Sequence, residues 1–334
     1  MALAKIIGTS IAGLVTVVPQ NTEDNLELAI VPKEEREAIV NHTGIGFRKI
    51  NRDSTLGVKH FFEKGIEKLL AELNWEKDSI DIIICVTQTP QIAIPSIACQ
   101  LHGDLAFPDH VLSYDINSGC SGFVYGLHTV SALMQTIIKN KVRALLCCGD
   151  VSSQLIEQND RTTRPIFSDA VSVIGLELNK SNIETTGYFN LETAGKGQQA
   201  IFAETIDNKQ YMRLNGIDIF NYSMKMVPKN IITLMDFAEK KLDHPDLFIF
   251  HQANKLINES IRKKLVLPEN KVPSSLYQFG NTASASIPLT LGLSWKPSFV
   301  QSGWVLISGF GVGFSVASAL IRFNPNSCLP PLEI

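Results

Sequence analysis

The chain has 334 residues, of which 45% are apolar and 19% charged. That is enough apolar material for two packed units, and too apolar a balance for a disordered chain. Thirty basic side chains against thirty-three acidic ones leave a net charge of −3, which argues against a nucleic-acid partner, and the absence of any apolar run of about 18 residues argues against a membrane span.

The first apolar stretch runs from Ile6 to Val15 behind the single basic residue Lys5. No small-residue cleavage pattern follows it before Pro19, so it reads as a buried first strand rather than a signal peptide. Phe61, Ile66, Leu69, Leu70 and Leu73 fall near helical spacing. Ile80 to Val86 then reads as a strand buried on both faces, and Arg143 to Cys148 reads the same way. Helices alternating with buried strands predict an α/β layered fold. The six cysteines (Cys85, Cys99, Cys120, Cys147, Cys148 and Cys328) form no CxxC pair and no disulfide framework, so a reducing, cytoplasmic compartment and no metal centre are expected.

One plan occurs twice. The strand-like block from Asp78 to Val86 returns as Asp243 to His251, Asn117 to Gly122 returns as Asn281 to Ser286, and Leu145 to Cys147 returns as Leu306 to Ser308. Three blocks in order at nearly one spacing predict a duplicated half of about 160 residues. Residues 1–178 and 179–334 are then expected to pack about a pseudo-two-fold axis, with a site at their junction.

Four segments can carry chemistry. In Asp115 to Leu127, a strand end leads into a turn of small residues around Cys120, and Phe123, Leu127 and Val130 begin a helical stripe. A cysteine at such a corner lies near unpaired helical N–H groups, which lower a thiol pKa, and the turn exposes the sulfur. A free cysteine is ordinarily a small buried side chain, and Cys85, Cys99, Cys147 and Cys148 are read so; Cys120 is read as a nucleophile. His251 follows the apolar run Phe248 to Phe250 and leaves the strand with Gln252 and Asn254 at the end where α/β folds bind ligands; a structural and a functional histidine are both open there. Asn281, in the run from Phe279 to Pro288, either caps the following helix or donates into a pocket. Ser308 to Phe314 has alternating glycines but lacks the lysine and spacing of a nucleotide loop.

Together, Cys120 in its Gly/Ser turn, His251 in His-Gln-Ala-Asn and Asn281 in Gly-Asn-Thr-Ala-Ser-Ala-Ser resemble the β-ketoacyl-[acyl-carrier-protein] synthase III family of the thiolase superfamily. Further matches are His42 to Ile45, Pro95 to Gln100, Gly149 to Ser152, Asp160 to Thr162, Phe167 to Ala170 and Ala319 to Phe323. The resemblance implies a five-layered α-β-α-β-α sandwich of two duplicated halves, usually a homodimer. It implies decarboxylative condensation of an acyl thioester with malonyl-acyl-carrier protein through an acyl-Cys120 intermediate. In these roles, Cys120 and Val312 supply the N–H groups of an oxyanion hole, and His251 and Asn281 hydrogen-bond the malonyl carbonyl. Asn254 binds the pantetheine arm, Arg161 flanks the adenine and Phe310 shields Cys120. No cofactor is bound permanently; coenzyme A or phosphopantetheine thioesters are the substrates, and an acyl carrier protein is the partner. Two other functions stay open: transfer of the acyl group to an amine or hydroxyl with His251 as base, and a non-catalytic partner subunit.

Three positions depart from the family pattern. Ala38 stands where a tryptophan usually stacks on adenine, His42 replaces a common arginine, and Val312 replaces a third glycine. A donor other than free acetyl-CoA is therefore expected. Lys255, Arg262, Lys263 and Lys264 beyond His251 read either as a solvated face or as a docking face for an acidic carrier.

Overall fold

The computed structural model of the chain describes residues 2–181, 185–295 and 303–334. Its strands are β1 (Ala2–Ile7), β2 (Thr9–Val18), β3 (Thr22–Asp24), β4 (Phe47–Lys49), β5 (Ile82–Val86), β6 (Leu112–Ile116), β7 (Lys141–Asp150), β8 (Ala170–Asn179), β9 (Thr186–Thr193), β10 (Ile201–Ile206), β11 (Lys209–Leu214), β12 (Leu247–Phe250), β13 (Trp304–Gly311), β14 (Ser315–Arg322), β15 (Ser327–Cys328) and β16 (Leu332–Glu333). The helices are α1 (Lys33–Thr43), α2 (Val58–Leu73), α3 (Ile97–Asp104), α4 (Gly122–Thr136), α5 (Gly216–Phe237), α6 (Lys255–Lys264), α7 (Leu276–Phe279) and α8 (Ser286–Ser294).

Two sheets form the frame, one ordered β15-β2-β8-β7-β5-β6 and the other β1-β9-β14-β13-β12. Strands β5, β7, β12 and β13 are buried almost throughout, as sheets covered on both faces require. A central core joins both sheets to α4 and α8; a second core packs α2 and α3 on the outside of the first sheet, and a third packs α5 and α6 on the outside of the other. The layers are thus α-β-α-β-α. Position in the stack decides each helix's sequence. Outer α2 buries one stripe from Val58 to Leu70 and ends at Asn74 in the left-handed region (φ 51°). Central α4 buries Phe123, Val124, Leu127, Val130 and Met134, because a sheet lies on either side.

The duplication is visible in the register. Cys85 pairs with Cys147 between parallel β5 and β7, and Phe250 pairs with Ser308 between parallel β12 and β13. The second pair is the first displaced by the offsets already present in the sequence. In each half an antiparallel neighbour follows, β8 and then β2 in one, β14 and then β9 in the other.

Two expectations are corrected. The single first strand is two strands broken at Gly8 (φ 85°): β1 joins the second sheet through β9 and β2 joins the first through β8. The division at 178/179 falls at the end of β8, yet β1 lies in the sheet of the later half, and β15 and β16 pair with β2 in the sheet of the earlier one. The halves are tied through their ends, each adding backbone pairing to an edge of the other half's sheet. Among the described residues, no helix is long and apolar enough to cross a membrane.

Candidate active site

Both halves direct a strand end and a helix start at one place. Strand β6 delivers the turn from Asn117 to Ser121, and α4 begins at Gly122, so Cys120 stands just before the helix. Gly309 and Gly311 lie within β13, and the chain turns only after them. Gly311 (φ 153°) runs directly against Cys120: a Cβ there would lie 2.8 Å from the Cys120 Cβ and 3.1 Å from its Sγ. Gly311→Ala therefore needs both an unfavourable backbone conformation and displacement of the sulfur. We expect this variant to lose most acylation of Cys120, read by intact-protein mass spectrometry; full acylation would show that the turn moves aside.

Cys120, His251 and Asn281 line a single cavity of about 50 Å³, together with Asn254, Phe310, Val312 and an apolar wall that includes Ile201, Met212 and Leu214. Hairpin β10–β11 supplies that wall. His251 leaves β12 with its N–H donated to the Ser308 carbonyl (2.8 Å), and the Phe310 ring meets it edge-on, centroids 5.5 Å apart. Asn281 is anchored by the other half: its N–H donates to the Ile166 carbonyl, and its carbonyl accepts the Ser168 N–H, both at 3.0 Å.

The electrostatics differ from the sequence expectation. Cys120 is 6% exposed, not displayed on an open elbow. Burial, with the nearby Asp150 carboxyl, pushes its thiol up to about 12, while its own N–H and that of Val312 pull the other way. Withdrawal from water outweighs a helix start that lacks a side-chain cap. Burial likewise drives His251 down to about 3, offset in part by the backbone at Ala283. The resting site thus holds a neutral thiol and a neutral imidazole, with two backbone donors aimed at the sulfur.

Both asparagines serve local structure with one atom and face the cavity with the rest. Asn281 Oδ1 accepts the Ala283 N–H (3.0 Å), and Asn254 Oδ1 caps α6 by accepting the Ile257 N–H (2.9 Å). An N–H can be accepted only by the amide oxygen, so each NH₂ is left as a donor. The two sequence readings of Asn281, turn-former and donor, are therefore compatible.

Other expected residues lie elsewhere. Arg161 is not part of the cavity wall; its Nε donates to the Ile30 carbonyl (2.8 Å) and its guanidinium pairs with Glu35 (3.9 Å). The basic run on α6 is not a free cluster. Arg262 is bound to Glu259 and to the Leu267 carbonyl, and Lys264 to the Met224 carbonyl. All three basic residues Arg262 to Lys264 fill the last helical turn, where positive charge offsets the helix dipole.

Gln88, Ser286 and Asp150 were missed. Gln88 also lines the cavity, and the rule that singles out His251, a polar residue leaving a buried strand, applies to it after β5. Asp150 is buried at the end of β7 and accepts the Gln88 N–H (2.6 Å) and the Thr87 hydroxyl (3.0 Å). The hairpin wall carries no sequence signal, since its apolar residues look like those of any strand.

Models of the 3-oxoacyl-[acyl-carrier-protein] synthase III family and of its C-terminal region match residues 114–195 and 235–323 respectively. A β-ketoacyl-[acyl-carrier-protein] synthase III of Bacillus cereus is 30% identical, the match covering 94% of this chain and 98% of the relative. The chain belongs to the β-ketoacyl-[acyl-carrier-protein] synthase III family. A synthase III of Lactobacillus helveticus is 28% identical over 91% of this chain and 95% of its own length. The solved 3-oxoacyl-(acyl-carrier protein) synthase of Burkholderia xenovorans LB400 superposes with a TM-score of 0.93 at 32% identity, covering 100% of this chain and 99% of that one. The protein is a condensing enzyme with a thiolase-like fold.

Proposed function

We propose that Cys120 accepts an acyl group from a thioester donor and passes it to the carbanion formed by decarboxylation of malonyl-acyl-carrier protein. One observation carries this reading: a single cavity brings together a thiol faced by two backbone donors and two neutral hydrogen-bonding side chains, His251 and Asn281. Sγ attacks the donor carbonyl, the Cys120 and Val312 N–H groups hold the oxyanion, and the donor sulfur leaves as a thiol carrying the proton that Cys120 gives up. Malonyl decarboxylation then places negative charge on the thioester oxygen. His251 and Asn281 stabilise it there, where the charge develops. The enolate carbon bonds to the acyl carbon as the Sγ–acyl bond breaks, and Cys120 departs as a thiolate that takes a proton from solvent to regain its resting thiol. Phe310 and the apolar hairpin wall limit water, which would otherwise hydrolyse the acyl-enzyme. Asn254 offers its amide to a phosphopantetheine arm, and coenzyme A or carrier thioesters are the substrates.

The donor is delivered by an acyl carrier protein rather than as free acetyl-CoA. Ala38 lies on α1, a helix with no buried residue and no Phe, Tyr or Trp to serve as a platform. A missing base stack is worth about 1–3 kcal/mol, roughly 5- to 150-fold in affinity. Matched acyl-carrier and acyl-CoA donors should therefore acylate Cys120 with a preference of about that size for the carrier, read by mass spectrometry. A clear preference for acetyl-CoA would exclude this.

Besides the carrier protein, the chain pairs with a second copy of itself. Strand β6 ends its sheet. Leu112 on that strand is 42% exposed, and Ile92 and Ile94, just ahead of α3, are 51% and 86% exposed. Asp115 of β6 holds the first N–H groups of α3, so these side chains flank an apolar open edge of the kind proteins cover. A monomeric mass in solution would rule this out. All six cysteines are free thiols, which supports a reducing, cytoplasmic setting.

A further inference from the structure

Ser286 opens α8 and is fully buried. Every polar group it carries is used. Its N–H donates to the Ala283 carbonyl, and its own carbonyl accepts the Thr290 hydroxyl (2.7 Å). Its Oγ receives the Gln252 N–H (3.3 Å) and lies 2.8 Å from His251 Nδ1. In the duplicated half the matching position is Gly122, where α4 begins. The hydroxyl thus belongs to the half that carries the histidine.

We infer that Ser286 is a positioning residue that fixes the tautomer of His251: its hydroxyl accepts from Gln252 and gives its proton to Nδ1, leaving the ring proton on Nε2. This rests on the donor role proposed for His251. A hydroxyl that already takes the Gln252 N–H has one proton of its own to place, and Nδ1 is the acceptor within reach. The surroundings prevent the ring from turning over to evade that choice. Gln252 is clasped by three bonds of its side chain, Nε2 to the Phe250 carbonyl (2.8 Å) and Oε1 from the Ser274 hydroxyl (2.8 Å) and the Ser275 N–H (3.1 Å). The His251 carbonyl is held by Asn258 Nδ2 (3.1 Å), and Phe310 packs edge-on against the ring. Burial keeps the imidazole neutral, so one nitrogen must lack a proton, and the serine selects which. A neutral ring protonated on Nε2 is a hydrogen-bond donor and not a base. That is what stabilising an enolate oxygen requires, and it is the opposite of what transfer to an amine or hydroxyl with His251 as base would need. The Ala283 backbone already hydrogen-bonds the ring and favours its protonated form, so it competes with the hydroxyl and is the partner left to the ring once the hydroxyl is removed.

The test is ¹⁵N NMR of the full-length protein labelled at histidine, with the His251 signals assigned by their loss in His251→Ala. The native protein should show a pyridine-like Nδ1 and a pyrrole-like Nε2 near neutral pH. Ser286→Ala should move the ring toward the other tautomer and lower kcat for condensation by roughly 10²-fold, with acylation of Cys120 nearly unchanged. Ser286→Thr, which keeps the hydroxyl, should restore both the signals and the rate. A native ring protonated on Nδ1, or ring signals unaltered in Ser286→Ala, overturns the inference even if no variant is active. Undiminished condensation by His251→Ala would instead overturn the donor role, whatever the tautomer.

Discussion

Cys120→Ala leaves no acyl group on the intact protein after exposure to acyl thioesters, and condensation falls by on the order of 10³-fold or more, because among the described residues Cys120 is the only thiol that lines the cavity. Cys85, Cys147 and Cys148 are fully buried in the packed sheets, so they cannot substitute. The native sulfur should also titrate unlike an activated cysteine. With its thiol pushed up to about 12, a fraction on the order of 10⁻⁵ is thiolate at pH 7. Alkylation of Cys120 by iodoacetamide should thus rise about tenfold per pH unit from pH 7 to 11; a plateau below pH 8 would mean that the N–H pair outweighs burial. The stability consequence has a definite sign. Above about pH 9 the unfolded thiol ionises while the folded one does not, so the unfolded state binds fewer protons and stability drops as pH rises toward 12. Cys120→Ala should flatten that alkaline decline in denaturant melts.

His251→Ala and Asn281→Ala each lower condensation by on the order of 10²–10³-fold, the usual cost of one oxyanion donor. Acyl-Cys120 should still form in both, because the N–H groups proposed to serve the first step belong to Cys120 and Val312. Single-turnover acylation by mass spectrometry and CO₂ release from malonyl-carrier protein separate the two steps; parallel loss of both would place these side chains in the first. Since His251 is held near 3, it stays neutral from pH 5 to 9 and contributes no acid limb to the condensation rate there. Its linkage runs opposite to that of the thiol. Below about pH 6.5 the unfolded chain gains a proton that the buried ring refuses, so stability is lost as pH falls toward 3.

The three residues proposed to react were legible in the sequence as candidates because each sits at an interruption. Cys120 breaks a strand into a helix, His251 ends an apolar run, and Asn281 follows Gly280, whose φ of 59° suits a residue without a side chain. What surrounds these residues was not legible. The hairpin from Ile201 to Leu214 closes the cavity with apolar side chains that any strand would carry. Asp150 and Ser286 act across packed layers, through bonds to Gln88 and His251 that no local pattern encodes. The partners of the basic run on α6 were not legible either: Arg262 is bound to Glu259 and a carbonyl, Lys264 to another carbonyl, and Arg262 to Lys264 fill the last turn of the helix.

The sequence by itself determined the layered α/β plan, the repeated blocks and the three side chains that come to line one cavity, because hydrophobic period, turn residues and repeat spacing are properties of order along the chain. Only the tertiary structure decided that β1 and the last strands cross between the sheets, that Cys120 rests as a buried thiol, and that His251 is neutral with Ser286 at Nδ1. Burial, dielectric and hydrogen-bond partners depend on which distant segments pack around a group, and those segments meet only when both halves close on one another.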